Sequence, residues 1–164
     1  MTTPVSDSPD PAAPRSFTSS FVVRSYELDG LGHVNHAVFL NYLEQARFDA
    51  LAAGGFPLEV MEERGWAVHV VRVEIDYRRE CRFRDELFVT TSVRGMRNSS
   101  MQLRQTLHRV PVGSREAPPR TASGGPSLPP GADLAAEALI TAVWIGPSGR
   151  PMRIPDDVRS ALKG

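Results

Sequence analysis

Between residues 37 and 71 the hydrophobic period of this chain falls from about four to two, and that change governs which folds it can reach. Across 37–53, Val38, Tyr42 and Ala46 recur every four positions with Leu43, Ala50 and Leu51 beside them, while Asn41, Glu44, Arg47 and Asp49 are polar. This spacing predicts one helix of four to five turns, stopped by Gly54 and Gly55. Beyond it, Val71, Val73, Ile75 and Tyr77 alternate with Arg72, Glu74, Asp76 and Arg78. Leu87, Val89, Thr91 and Val93 repeat the pattern, as do Met101, Leu103, Gln105 and Leu107. Each set predicts a strand with one dry face and one wet face. Residues 135–145 are apolar on both faces, which suits a central strand. Residues 17–26 suit a first strand. A short helix is expected after Pro57 over 58–64, and Pro155-Asp156-Asp157 opens a terminal helix ending near Leu162.

Successive strands without intervening helices favour antiparallel pairing. The expected class is α+β: an antiparallel five-stranded sheet, one face of which meets the apolar stripe of the long helix. Ten of the fourteen prolines fall in two stretches, four within residues 1–16 and six within 111–132. The first stretch is expected to be a disordered tail and the second, at about 111–133, a Pro/Gly-rich loop insertion in a single domain spanning 17–164. The 19 basic and 19 acidic residues cancel, so no charge excess argues for a nucleic-acid partner. Cys81 is the sole cysteine, which excludes a disulfide framework and a cysteine-rich metal site. The N-terminus has no basic and apolar secretory pattern, and no run approaches the roughly 20 apolar residues of a membrane span. A soluble chain in a reducing, cytoplasmic compartment is expected.

Chemistry concentrates in one short segment. Asp29 to His36 reads D-G-L-G-H-V-N-H: one acid, two glycines, an asparagine and two of the four histidines. Gly30 and Gly32 permit a tight backbone that a ligand can approach closely. The long helix starts at once, near Asn35 or His36, and its first N–H groups and macrodipole favour negative charge. A carboxylate beside an oxyanion-stabilising helix end is what an acyl-transfer hydrolysis requires.

The segment D-x-x-G-H-V-N-H followed by A-V-F-L-N-Y-L-E-Q-A-R resembles the 4-hydroxybenzoyl-CoA thioesterase family, including its acyl-CoA thioester hydrolase branch. The stretches 71–91, 97–107 and 149–158 also sit in family order, and the resemblance covers nearly everything except the tail and the insertion. It implies a hot-dog fold, in which the sheet wraps the long helix, and a homodimer or homotetramer with sites between subunits. It implies hydrolysis of acyl-CoA or acyl-carrier thioesters without a cofactor. By position Asp29 matches the family's catalytic aspartate, and His36 falls where the backbone N–H would polarise the thioester carbonyl. Two mechanisms fit: Asp29 attacks the acyl carbon, or it activates water. The thiolate leaves readily, so no strong general acid is needed.

Each candidate has a plainer reading. Asp29 beside glycine suits a turn acid, Asn35 a helix N-cap as readily as a catalytic or substrate contact, and His33 a structural hydrogen-bonder at the turn. His33 and His36 have metal-ligand spacing but no third ligand nearby, so no metal is expected. Glu44 suits a surface ion pair with Arg47 and is the reserve catalytic acid. Cys81 lies in an Arg-rich turn but lacks the surroundings of a nucleophile. Nine arginines lie between Arg72 and Arg109 and suit wet strand faces; the functional reading gives some of them to the phosphates of CoA. The expected substrate contacts are Gly32, His33, Tyr42, Arg78, Arg79, Arg82, Ser99 and Ser100. Two other functions compete: an acyl-thioester dehydratase or hydratase on the same fold, using His36 with Asp29, and an acyl-thioester binding protein without catalysis.

Overall fold

The computed structural model describes residues 15–114 and 125–163. Its elements run β1 (Ser16–Val22), α1 (His36–Ala53), α2 (Leu58–Glu63), β2 (Ala67–Tyr77), β3 (Glu86–Met96), β4 (Ser100–Val110), β5 (Asp133–Ile145) and α3 (Asp156–Lys163). The strands form one sheet in the order β1-β3-β4-β5-β2, every pair antiparallel. β1 and β2 are therefore opposite edges. α1 joins them and must cross the sheet face between, which is the hot-dog arrangement of one long helix against a five-stranded antiparallel sheet.

α1 forms where the helical period ran, capped by the Asn35 side chain, which accepts from the Ala37 N–H at 2.9 Å. Phe39, Tyr42, Leu43, Ala46 and Ala50 are its buried face. The first four meet Leu87 and Val89 of β3, Leu103 and Leu107 of β4, and Ala138, Ile140 and Trp144 of β5 in one hydrophobic cluster. Burial of such side chains is worth about 1.5–3 kcal/mol each. Phe39 takes the place expected for Val38, which is only partly buried.

Four boundaries differ from the sequence reading. β1 ends at Val22 because Glu27 folds back to accept the Arg24 N–H at 2.7 Å, turning residues Ser25–Glu27 into a 3-10 turn. At the other end, Ser16 already pairs with Ser92, so strand replaces the last residue of the expected tail; residues 1–14 lie outside the described residues. β5 begins at Asp133, which pairs with Arg109, so the loop insertion is one residue shorter than expected, and its positions 115–124 lie outside the described residues. β2 starts at Ala67, and a bulge at Val71 breaks its alternation.

That bulge matters for the face of β2. Val68, Val70, Val73, Ile75 and Tyr77 pair with the core residues Trp144, Ala142, Ile140, Ala138 and Ala136 and so share their side of the sheet. The expected dry face is nonetheless open. Val70, Val73 and Tyr77 are exposed because α1 packs chiefly over β1 and β3 at the other edge. No helix among the described residues is long and apolar enough to cross a membrane.

Candidate active site

The turn before α1 is closed by its own backbone. The Asp29 N–H donates to the His33 carbonyl at 2.7 Å, the Gly32 N–H donates to the Asp29 carbonyl at 3.1 Å, and Leu28 bridges Val34. Gly32 sits at φ +77°, where a side chain would be strained. The Val34 N–H then donates to the Cys81 carbonyl at 2.8 Å, which fastens the turn to the β2–β3 connection.

Within this frame the two oxygens of Asp29 differ. Oδ1 accepts from the Leu31 N–H at 2.8 Å and the His33 N–H at 3.2 Å. Oδ2 has no hydrogen-bond partner among the described residues. The turn-acid reading of Asp29 is thus true of one oxygen and leaves the other available. The Leu31 hydrogen bond, and after a smaller opposing effect of burial the His33 hydrogen bond, hold this carboxyl below the usual carboxylate range.

Asp29, His36, Phe39, Tyr77, Arg78, Arg79 and His33 line one open groove of about 660 Å³ including its mouth. The first N–H groups of α1 border it. Ala37 is satisfied by Asn35 and Val38 by the Asn35 carbonyl, whereas the His36 N–H has no acceptor among the described residues. A carboxylate and a free helix-start donor therefore share one wall.

Two residues that sequence reasoning missed hold the groove together. The Tyr77 hydroxyl donates to the His36 carbonyl at 2.8 Å, and its ring meets Phe39 edge-on at 5.2 Å, pinning the first turn of α1 to β2. Glu80 lies 3.4 Å from His33 Nε2 and accepts from Arg82 at 2.7 Å. The Arg82 hydrogen bond, outweighing burial, holds the Glu80 carboxyl low. A tyrosine ending a strand, with a hydroxyl in need of an acceptor, was the available signal for Tyr77; nothing local marked Glu80.

The remaining candidates scatter. Arg78 and Arg79 are in the groove but loosely paired, Arg78 at 3.7 Å from Glu137 and Arg79 at 3.9 Å from Asp133. Arg82 is engaged by Glu80 at its rim. Tyr42 lies outside the groove: its hydroxyl donates to Glu27 and its ring packs on Phe21 at 5.3 Å, in a separate cleft. Ser99 and Ser100 stand at the far end of β4, where the Ser99 carbonyl accepts from the Trp144 N–H. Tyr77 registers with Ala136 and hence with Leu107, so Ser100 is seven residues, roughly 23 Å, from the groove within one chain.

Glu44 is exposed and two helical turns from His36, about 12 Å along the axis. Its expected partner Arg47 turns inward and donates to Gln105 instead. Cys81 is fully buried, and burial, with Asp85 next, pushes its thiol up to about 12. No group of three metal-ligating side chains occurs among the described residues.

Residues 23–162 match the model of the thioesterase-like superfamily. The chain is 30% identical over 142 residues to a chloroplastic acyl-acyl carrier protein thioesterase of Arabidopsis thaliana, ATL2, a match covering 84% of this chain and 63% of the relative's length. It is 35% identical over 91 residues to the long-chain acyl-CoA thioesterase FadM of Escherichia coli, covering 56% of this chain and 68% of that protein. Among solved structures, a Thermus thermophilus thioesterase complexed with coenzyme A and zinc aligns at TM-score 0.67 and 30% identity, covering 88% of this chain and 90% of the other.

Proposed function

The chain belongs to the thioesterase-like superfamily, and from that premise we propose that it hydrolyses acyl-CoA thioesters to free acid and CoA. Asp29 acts as nucleophile or general base, and the start of α1 at His36 polarises the carbonyl. The observation that carries this reading is the divided carboxylate: one Asp29 oxygen fixed by the Leu31 and His33 N–H groups, the other open to a groove that also borders the unpaired His36 N–H. Asn35 serves as the cap that orients those donors. Gly32 and His33 keep the turn in shape, and Tyr77 holds the helix start in place.

Free thiol released from a panel of short, long and aromatic acyl-CoAs, followed with a thiol reagent, tests the reading. A dehydratase, hydratase or binding protein would hold acyl-CoA and release none. The names of the relatives include both CoA and carrier-protein thioesters, so the same panel should carry an acyl-carrier protein substrate.

Arg78 and Arg79 meet the phosphates of CoA in this reading. Their partners stand at 3.7–3.9 Å, so exchanging them for phosphate forfeits little. The double replacement Arg78→Ala, Arg79→Ala is expected to raise KM for acyl-CoA about tenfold, while hydrolysis of a short uncharged thioester changes less than twofold. Equal effects on both substrates would remove the phosphate role.

The oligomer proposed is a homodimer, or a tetramer built from it, joined along β2. This edge strand has eleven residues, with Val70, Val71 and Val73 exposed, a form that recruits another strand unless covered. Light scattering should give at least twice the chain mass of 18.0 kDa, and Val73→Glu should shift it toward the monomer. A monomeric wild type would end the proposal. A cytoplasmic location is proposed from the free thiol of Cys81; recovery of the protein with membrane or secreted fractions would overturn it.

A further inference from the structure

The cleft beside the C-terminal half of α1 is built unlike the Asp29 groove. It opens between that helix and the inner side of the sheet, with a volume of about 640 Å³ including its mouth, and Phe48, Leu51, Val70, Met101 and Leu103 among its walls. The walls are chiefly apolar, with Thr91 and Ser92 among them, and Glu44 and Arg47 also face the space.

Arg47 is held there by a fixed relay. Its Nη1 donates to Gln105 Oε1 at 2.9 Å. Gln105 is fully buried, and its amide nitrogen donates to the Leu43 carbonyl and to Thr91 Oγ1, both at 2.9 Å. Because Leu43 offers only an acceptor, the amide must point its nitrogen that way and its oxygen at Arg47. Gln105 thereby spends its oxygen on one of the five guanidinium hydrogens. Among the described residues no carboxylate lies within the 4.0 Å ion-pair distance of Arg47. Glu44, one turn earlier, lines the same cleft but acts on Arg47 only from beyond that distance. Burial lowers the proton affinity of the guanidinium below its ordinary value, the mark of a cation partly stripped of water.

A partly desolvated cation without an ion pair is costly, and the apolar walls on its far side cannot supply one. The complementary ligand carries one anionic, fork-shaped head on an apolar chain. We propose that this cleft binds an amphiphilic carboxylate, the carboxylate on Arg47 and the chain against Phe48, Val70 and Leu103. The same chemistry has two sources: a free fatty carboxylate, or a terminal carboxyl on an acyl group whose thioester end lies in the Asp29 groove. The second is within reach, since Arg47 is eleven residues and roughly 16 Å along α1 from His36.

Calorimetric titration of the full chain with octanoate and with 1-octanol tests the proposal without any turnover, so it stands or falls apart from hydrolysis. Octanoate is expected to bind at least tenfold tighter than octanol. Arg47→Met should weaken octanoate about ten- to a hundredfold, the worth of a charge-assisted hydrogen bond, and leave octanol unchanged. Val70→Trp, which fills the cleft and retains Arg47, should abolish both, and it keeps the test alive where Arg47→Met fails to fold. Equal affinity for the two ligands, or an unaltered octanoate affinity in folded Arg47→Met, overturns the proposal; so does no octanoate binding at millimolar concentration, which leaves a second copy of the chain as occupant. Turnover of acyl-CoA and ω-carboxyacyl-CoA of equal length separates the sources. A preference for the ω-carboxy substrate that Arg47→Met erases assigns the carboxylate to the substrate, and octanoate binding without that preference assigns it to a free acid.

Discussion

Asp29→Asn is expected to lower thioester hydrolysis by about a thousandfold or more, with the fold intact. The substitution isolates the charge. Asn keeps an oxygen that can accept from the Leu31 and His33 N–H groups, so the turn retains the bonds that shape it. What it loses is the second anionic oxygen, which no neighbour among the described residues engages. Circular dichroism and melting temperature should stay near wild type while thiol release collapses. Full turnover in a folded Asp29→Asn would move the role elsewhere.

The pH profile gives an independent reading of the same group. In the proposed mechanism Asp29 acts ionised, and the turn N–H groups place its pKa below the ordinary 3.8. A carboxyl with a depressed folded pKa stays charged as the pH falls toward that value, and its contribution is lost only on passing below it. From this group kcat/KM should be flat between pH 5 and 8, with the acid limb below about 3.8. An acid limb well above that value, surviving in Asp29→Asn, would assign the base to another group. A carboxylate of low basicity is a modest proton acceptor, so the driving force must come from the donors facing the developing oxyanion. One such donor is worth about a hundred- to a thousandfold, and for that reason the anchoring of α1 by Tyr77 weighs as much as Asp29 itself.

How far the sequence could be read depended on the distance between partners. Asp29 bonds with Gly32 and His33, and Asn35 with Ala37, each partner within four positions, so spacing and turn chemistry place them together. The helical period gave α1 to within a residue, since its buried face repeats from Phe39 to Ala50, over about three turns. Tyr77 and His36 are 41 residues apart and meet only through the sheet, and no local pattern records that. Tyr42 shows the opposite case. An aromatic on the apolar stripe of α1 was a fair substrate contact, but its hydroxyl is aimed by Glu27, which depends on the 3-10 turn that cuts β1 short. In β2 the period of two was correct in type and wrong in phase at Val71, because a bulge adds one residue without any change of composition. Arg47 beside Glu44 looked like a surface pair, and the competing partner was a buried glutamine 58 residues away.

Trp144 is where the largest loss of stability is expected. It is fully buried in β5, meets Trp66 at 5.6 Å with planes at 69°, and its backbone takes Ser99 and Met152 as partners. Trp144→Ala removes the ring and leaves a cavity the strand cannot close, at a cost of about 3–5 kcal/mol. For a chain of this length that lowers the melting temperature by roughly 6–20 °C. Trp144→Phe should behave very differently. The indole Nε1 is buried without a hydrogen-bond partner among the described residues, and an unpaired buried N–H costs about 1–3 kcal/mol. Phe gives up part of the ring contact but removes that unpaired donor, so the two changes offset and the net shift should stay below about 1 kcal/mol. Thermal denaturation of both variants decides it: a Phe variant as unstable as the Ala variant would mean that the indole N–H has a partner, such as an ordered water, and that its bond was lost with the ring. A near-neutral Phe beside a damaged Ala would show that packing at this position, and no polar contact, fastens the end of β5 to the helices that close the core.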